Sequence, residues 1–382
     1  MSGIYIHIPF CKQACNYCDF HFSTSMKKKD EMVLAIAKEI RLRKNEGQNK
    51  DELSKVETIY FGGGTPSVLS LDEINFLIET VYTNYAVVDN PEITLEANPD
   101  DLSEERIIAF SKSKINRLSI GVQSFFEDDL KMMNRAHNSE EAIKCLAVAT
   151  KYFDNISLDL IYGVPGMTND KWQQNIETAL SFGIPHISSY ALTVEPKTAL
   201  KKLIEIGQVA EPSDVVAQEH FMILVDTLEK NNFIHYELSN FGKENYFSKN
   251  NSSYWLGNKY IGVGPSAHSY DGKSRSWNIA NNGLYLKSIQ NDALPSEAEI
   301  LSTADRYNEY VMTGLRTIWG VSLKRIESEF GTVYFEYIHK QAHKYLTDEL
   351  LVVEDDILKP TKKGKFLTDG IASDLFYLDS ND

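Results

Sequence analysis

From residue 4 to about residue 240, short β-branched runs alternate with longer segments of helical period, and few architectures accept such a chain. The strand candidates are Ile4–Ile8, Glu57–Phe61, Glu92–Ala97, Arg117–Val122, Ile156–Ile161 and His186–Leu192. Between them lie helical patterns at Glu31–Arg43, Leu71–Tyr85, Glu104–Ser111, Ser139–Tyr152 and Asp170–Phe182. Parallel strands need a crossover, usually helical, so this order predicts βαβ units around a parallel sheet. Six such units predict an α/β fold with a partial (β/α)6, TIM-like barrel over residues 1–240.

A further helix, Asp214–Asn231, precedes a stretch from Phe233 to Leu294 rich in Asn, Ser, Gly and Tyr. Residues 241–295 are therefore expected as an irregular extension of long loops with some strands. The composition changes near Asp292–Ser296. Helical patterns at Glu297–Ile318, Leu323–Phe330 and Val333–Leu346, a Leu350–Val353 strand and a Thr361–Leu375 segment follow. This order predicts a mostly helical, winged-helix-like C-terminal domain over 296–382. Its low basic charge points to docking or capping rather than DNA binding.

Of the 382 residues 42% are hydrophobic, enough for a sizeable core. The chain shows no apolar run of about eighteen residues and no basic, cleavable leader, so the expected location is cytoplasmic with no transmembrane segment. A net charge of −15 argues against nucleic-acid partners, which call for a basic surface. The run Lys27–Lys29 reads as the solvated start of a helix.

Three of the four cysteines, Cys11, Cys15 and Cys18, follow the first strand candidate in one short segment. In a reducing compartment that spacing reads as metal binding rather than a disulfide framework. Thiolates hold iron–sulfur clusters, and three of them leave one iron of a cubane open to a ligand. The competing reading is zinc held by the three cysteines and His7 or His21. Cys145 lies at an apolar position of a helical pattern, beside Ile143, Leu146 and Val148, where a buried free cysteine is ordinary. Gly62-Gly63-Gly64-Thr65-Pro66 ends the second strand candidate, and glycines there let backbone approach a ligand. Glu96, Gln123 and Asp159 sit at or near the carboxyl ends of consecutive strand candidates, the face on which βα barrels bind ligands. A polar side chain in such apolar runs costs free energy unless it has a partner.

The CxxxCxxC spacing, with Tyr17 before its last cysteine, resembles the signature of radical S-adenosylmethionine (SAM) proteins. That resemblance implies a 4Fe-4S cluster on Cys11, Cys15 and Cys18. It further implies S-adenosylmethionine chelating the open iron, to be cleaved after one-electron reduction into a 5′-deoxyadenosyl radical. Tyr5 through Cys11 and Cys18-Asp19-Phe20 resemble the branch that holds oxygen-independent coproporphyrinogen III dehydrogenases and HemW-type heme chaperones, along residues 4–375. By that resemblance Tyr5, Gly63, Gly64, Thr65, Glu96, Gln123, Arg135 and Asp159 contact the cofactor. Arg135 also reads as a helix-terminal cation, and His137 as a satisfied loop histidine.

Two departures favour the chaperone branch. Phe20 stands where the dehydrogenases carry a further cysteine, and the first motif residue is already Tyr5, without their N-terminal extension. The segments Tyr236–Phe241 and Tyr260–Ser269 match later chaperone signatures. The chaperones' HNxxYW segment reads Asn250-Asn251-Ser252-Ser253-Tyr254-Trp255 here, with asparagine in the histidine position. Asparagine is a poor iron ligand, which leaves His235, His268 and His7 as candidates for heme. The implied ligand is heme or a porphyrin and the implied partners are acceptor hemoproteins and an electron donor, with a homodimer left open. The alternative is the dehydrogenase activity, radical oxidative decarboxylation of coproporphyrinogen III.

Overall fold

The computed structural model describes residues 2–44 and 55–378, so the outermost residues of the first and last expected domains lie outside the described residues. The chain runs β1 (Ser2–Ile8), α1 (Lys29–Arg43), β2 (Val56–Gly63), α2 (Leu71–Asn84), β3 (Val87–Ala97) and α3 (Glu104–Ser111). It continues through β4 (Arg117–Gln123), α4 (Glu127–Met132), α5 (Ser139–Tyr152), β5 (Ile156–Tyr162), α6 (Asn169–Ser181) and β6 (His186–Ala191). Start signals are local: Ser70 with Glu73 and Asn138 with Glu141 form capping boxes at the heads of α2 and α5.

β1 to β6 pair in sequence order, all parallel, in a sheet whose order does not close on itself. The expected α/β partial barrel is what the chain forms. Alternate strand positions divide the sheet into two faces. Ile4, Ile6, Ile59, Phe61, Leu95, Ile120, Leu158 and Ile187 join α1, α2, α3, α5, α6 and α8 (Asp214–Lys230) in one buried core. The opposite face is polar: Tyr60 donates to Glu96, Ser119 to Asp159, and Ser157 bonds the His186 ring. Parallel strands covered by helices on both sides would be apolar throughout. Here α1, α2, α3, α5, α6 and α8 cover one face, and polar groups that satisfy one another line the other.

The short helix α7 (Ala199–Glu205) precedes α8. Residues 234–300 then supply β7 (Ile234–Glu237), β8 (Asn240–Gly242), α9 (Lys249–Trp255), β9 (Lys259–Val263), β10 (His268–Tyr270), β11 (Ser274–Asn278), α10 (Asn282–Gln290) and β12 (Ser296–Ile300). β9 lies parallel to β1, with Lys259 opposite Ser2, and the antiparallel β10–β12 extend that edge. β8 and β7 run antiparallel at the other edge. Buried Glu39 on α1 fastens the extension: its carboxylate accepts from Arg43, Tyr285, Asn278 and the Gly264 amide at 2.5–2.7 Å.

A second core lies in α11 (Thr303–Leu315), β13 (Val321–Ser322), α12 (Leu323–Phe330), α13 (Thr332–Thr347), β14 (Leu351–Glu354), β15 (Ile357–Pro360) and α14 (Thr368–Asp374). Helix, strand, two helices and a hairpin closing a three-stranded sheet is the winged-helix order. This module meets the barrel through Arg316. Its guanidinium reaches Glu237 at 3.3 Å and lies over the Trp255 ring, while its carbonyl accepts from Leu238.

Candidate cluster and cofactor site

The cysteine loop leaves β1 and is closed at its base, where the Cys11 amide donates to Ser23 and the Ser23 amide to Pro9. Two outside segments, residues 132–134 and the start of α7, hold its far end. The Asn16 amide donates to Met133 and its side chain to Met132, at 3.0 and 2.7 Å. Asn134 returns a bond to the Ala14 carbonyl, and Gln13 reaches Asn134. The first amides of α7 close the set, with Leu200 donating to Asn16 at 2.7 Å.

The glycine turn is stitched directly to this loop: the Gly64 amide donates to Ile8 and the Thr65 amide to Phe10. Gly63 has φ +104°, and a Cβ there would lie 2.6 Å from the His7 ring. A Cβ on Gly64 would lie 2.7 Å from the Phe10 carbonyl. Both positions therefore require glycine on steric grounds. The Thr65 hydroxyl donates to the Cys11 sulfur at 3.3 Å.

Arg135 ties the loop to the strand ends. It donates to the Cys15 sulfur at 3.2 Å, to the Asn98 side chain and to the Gly121 carbonyl at 2.7 Å each. The carbonyl of Gly121 is presented where β4 breaks register against β5, and Gln123 takes a left-handed φ of +69°. Such a conformation costs a non-glycine residue free energy and is held by its surroundings. Cys11, Cys15, Cys18, Gly63, Gly64, Thr65, Glu96, Gln123, Arg135 and Asp159 all line one cavity of about 410 Å³, with Phe20 exposed at its lip.

Tyr5 is the exception among the expected cofactor residues. It lies beneath Gly62 on the polar face, stacked on Tyr60 at 6.0 Å, and does not line the cavity. Two further residues carry no separate sequence signal. Asn98 links Arg135 to Thr65. Arg117, buried at the start of β4, places a positive charge below Glu96 and Asp159. Burial raises the Glu96 carboxyl to about 7, against the lowering effect of the Tyr60 hydrogen bond. Burial likewise raises Asp159 to about 6, partly offset by Arg117.

The donor set suits a cluster better than a single ion. Among the described residues no three His, Cys, Asp or Glu side chains converge on one metal position. A zinc ion needs that convergence; a four-iron cluster is larger and takes thiolates spread around it. The two histidines expected as a fourth zinc ligand are engaged elsewhere through their rings. The His7 ring bonds the His21 carbonyl and the Tyr5 hydroxyl, and the His21 ring bonds Asn282.

Residues 5–179 match the radical SAM superfamily, and residues 301–367 match the HemN C-terminal domain. The heme chaperone HemW of Bacillus subtilis is 35% identical over 336 residues, which cover 87% of each chain. The chain belongs to the HemW family. The HemW of Lactococcus lactis is 32% identical over 381 residues, covering 97% of this chain and 98% of that one. In the fold, coproporphyrinogen III oxidase (HemN) from Escherichia coli, described as a radical SAM enzyme, superposes with a TM-score of 0.84. It spans 98% of this chain and 90% of its own at 21% identity.

Within this HemW-family fold the heme-ligand candidates are scattered. Asn250 is buried at the head of α9, where its side chain accepts from Thr58 at 3.1 Å and its amide donates to Glu92. Both His235 nitrogens are engaged, one with the Leu238 carbonyl and one with Lys365, and its ring stacks on Phe241 at 4.1 Å. His268 is exposed beside Trp277. His137 bonds the Val122 carbonyl and is a supporting loop histidine. Cys145 is buried on α5 and does not line the cavity. The Tyr236–Phe241 segment acts structurally: the Tyr236 hydroxyl meets His186, and Glu237 accepts from Asn240.

Proposed function

We propose that this chain is a heme chaperone on a radical SAM scaffold, which binds heme and passes it to acceptor hemoproteins. One observation carries the scaffold part: three loop cysteines, the glycine turn, Arg135 and three strand-end polar residues meet in a single cavity. Likeness to curated HemW chaperones supports the heme part. Cys11, Cys15 and Cys18 would hold a 4Fe-4S cluster, with Thr65 and Arg135 donating to two of the sulfurs. Gly63, Gly64, Thr65, Glu96, Gln123, Arg135 and Asp159 would hold S-adenosylmethionine, with Tyr5 supporting the floor beneath Gly62. The Glu96 and Asp159 carboxyls would offset the cofactor's positive charges, and the Arg135 guanidinium its carboxylate. Bound there, the cluster supplies the electron for cofactor cleavage, drawn from an electron donor.

We assign the cofactor work to residues 1–240, the edge extension to 241–295 and a capping or docking role to 296–382. No helix among the described residues is long and apolar enough to cross a membrane, and we place the protein in the cytoplasm. Association as a homodimer is compatible with this function. Anaerobic reconstitution tests the proposal. The chain should become brown and EPR-active, lose its iron in Cys11→Ala, Cys15→Ala or Cys18→Ala, and keep it in Cys145→Ala. It should transfer heme to an apo-hemoprotein and give no vinyl product from coproporphyrinogen III. Decarboxylation without heme transfer would replace chaperone with enzyme.

A further inference from the structure

A second cavity, of about 360 Å³, opens where the C-terminal module meets β9–β11. It lies at the end of the sheet where β1 begins, since Tyr260 in its wall pairs with Gly3. One wall is built of Tyr254 and Tyr260, edge-on at 4.4 Å, with Tyr270 beside them. The facing wall is Tyr310 of α11, stacked on Phe330 and covered by Arg325 at 4.3 Å. Tyr310 is already covered, so the aromatic area open to a ligand is that of the Tyr254, Tyr260 and Tyr270 wall, whose rings offer apolar edges and faces.

The rim is cationic. Arg275 pairs with Glu309 and Arg325 with Glu329. Arg306 has no carboxylate partner among the described residues; its guanidinium comes only within 3.5 Å of the Thr303 hydroxyl. Met312, 38% exposed on α11, also lines the cavity, whereas no histidine or cysteine does. An aromatic macrocycle with carboxylate arms and a central iron matches all three features: the tyrosine lining, the guanidinium without a carboxylate partner and the thioether.

We propose that this cleft is the heme seat, with the ring against the tyrosine wall, a propionate on Arg306 and the iron facing the Met312 sulfur; it rests on the heme-chaperone function proposed above. Burial keeps the Tyr254 and Tyr260 phenols above their ordinary pKa and so protonated, which leaves the neutral thioether as the available ligand. A lone thioether holds iron loosely, as suits a protein that must give heme up. Because the cleft and the cysteine loop lie at opposite ends of the sheet, heme and S-adenosylmethionine bind without competing.

Hemin titration into the full-length reconstituted protein, followed by absorbance with and without saturating S-adenosylmethionine, tests this. The wild type should bind one heme with an affinity indifferent to the cofactor. Arg306→Glu should weaken binding about tenfold or more, as loss of a charge-assisted bond does. Met312→Ala should lose the sulfur-to-iron charge-transfer band, and Met312→His should replace it with a nitrogen-ligated spectrum. Iron content of the cluster in each variant confirms folding. If the wild type binds heme but S-adenosylmethionine competes, or if all three variants match it in affinity and spectrum, the cleft is wrong and the chaperone function stands. A wild type that binds no heme overturns the chaperone function itself.

Discussion

Glu96 is a carboxyl held near neutrality by its surroundings: burial lifts it to about 7, although Tyr60 donates to it at 2.7 Å. Asp159 is lifted to about 6 for the same reason. A carboxyl whose pKa is higher folded than unfolded stabilises the fold at low pH and loses that contribution as pH rises through the folded value. For Glu96 the loss between its ordinary 4.5 and about 7 is on the order of 3 kcal/mol. Without cofactor, urea unfolding should therefore show lower stability near pH 7.5 than near pH 5, and Glu96→Gln should shrink the difference to the part that Asp159 contributes. Cofactor binding should run the other way. A cation favours the carboxylate, so affinity for S-adenosylmethionine should rise with pH and level off above about 7. Titration calorimetry across that range checks this, and a flat profile in the wild type would place Glu96 outside the cofactor's reach.

At the scale of elements, the cysteine loop has little regular structure and is shaped by its anchors. Asn134, itself left-handed at φ +54°, is bonded on both sides: it donates to Ala14 and accepts from Gln13. Asn134→Gly keeps the backbone conformation accessible and deletes both side-chain bonds, each worth about 1 kcal/mol. Iron loss to a chelator should then be about tenfold faster or more, with the cluster still assembling. An unchanged rate would mean that Asn16 and α7 hold the loop by themselves. The glycine turn is less forgiving. A side chain at Gly63 meets the His7 ring before it meets any ligand, so a substitution there disturbs the turn as well as the cavity.

Across the whole molecule, the two cores are joined where Arg316 reaches Glu237 and Asp369 and covers Trp255. Glu237 is 1% exposed, so removing its cation leaves a buried carboxylate short of a partner. Arg316→Ala should cost about 3 kcal/mol and let the C-terminal module unfold before the barrel in a thermal scan. Arg316→Lys should recover only part, because a single ammonium cannot serve Glu237 and Asp369 as a fork does. One unshifted transition in Arg316→Ala would show that apolar contacts alone hold the halves together.

Short windows of sequence determined what depends on local geometry. The period of each strand and helix, the spacing of Cys11, Cys15 and Cys18, and the glycines at 63 and 64 are all properties of neighbouring residues. The polar sheet face was also written there, as Thr58–Tyr60, Glu92–Thr94–Glu96 and Ser157–Asp159 at every second position, beneath runs that read as apolar. Only the tertiary structure decided that β9 continues the sheet beside β1, because nothing near Lys259 specifies Ser2 as its neighbour. It also decided that Asn98 lines the cavity, that Arg117 sets its charge below Glu96 and Asp159, and that Asn250 lies at the opposite end of the sheet. Those assignments depend on contacts between distant segments, and such contacts exist only once loop closure has been compensated by the core they help to build.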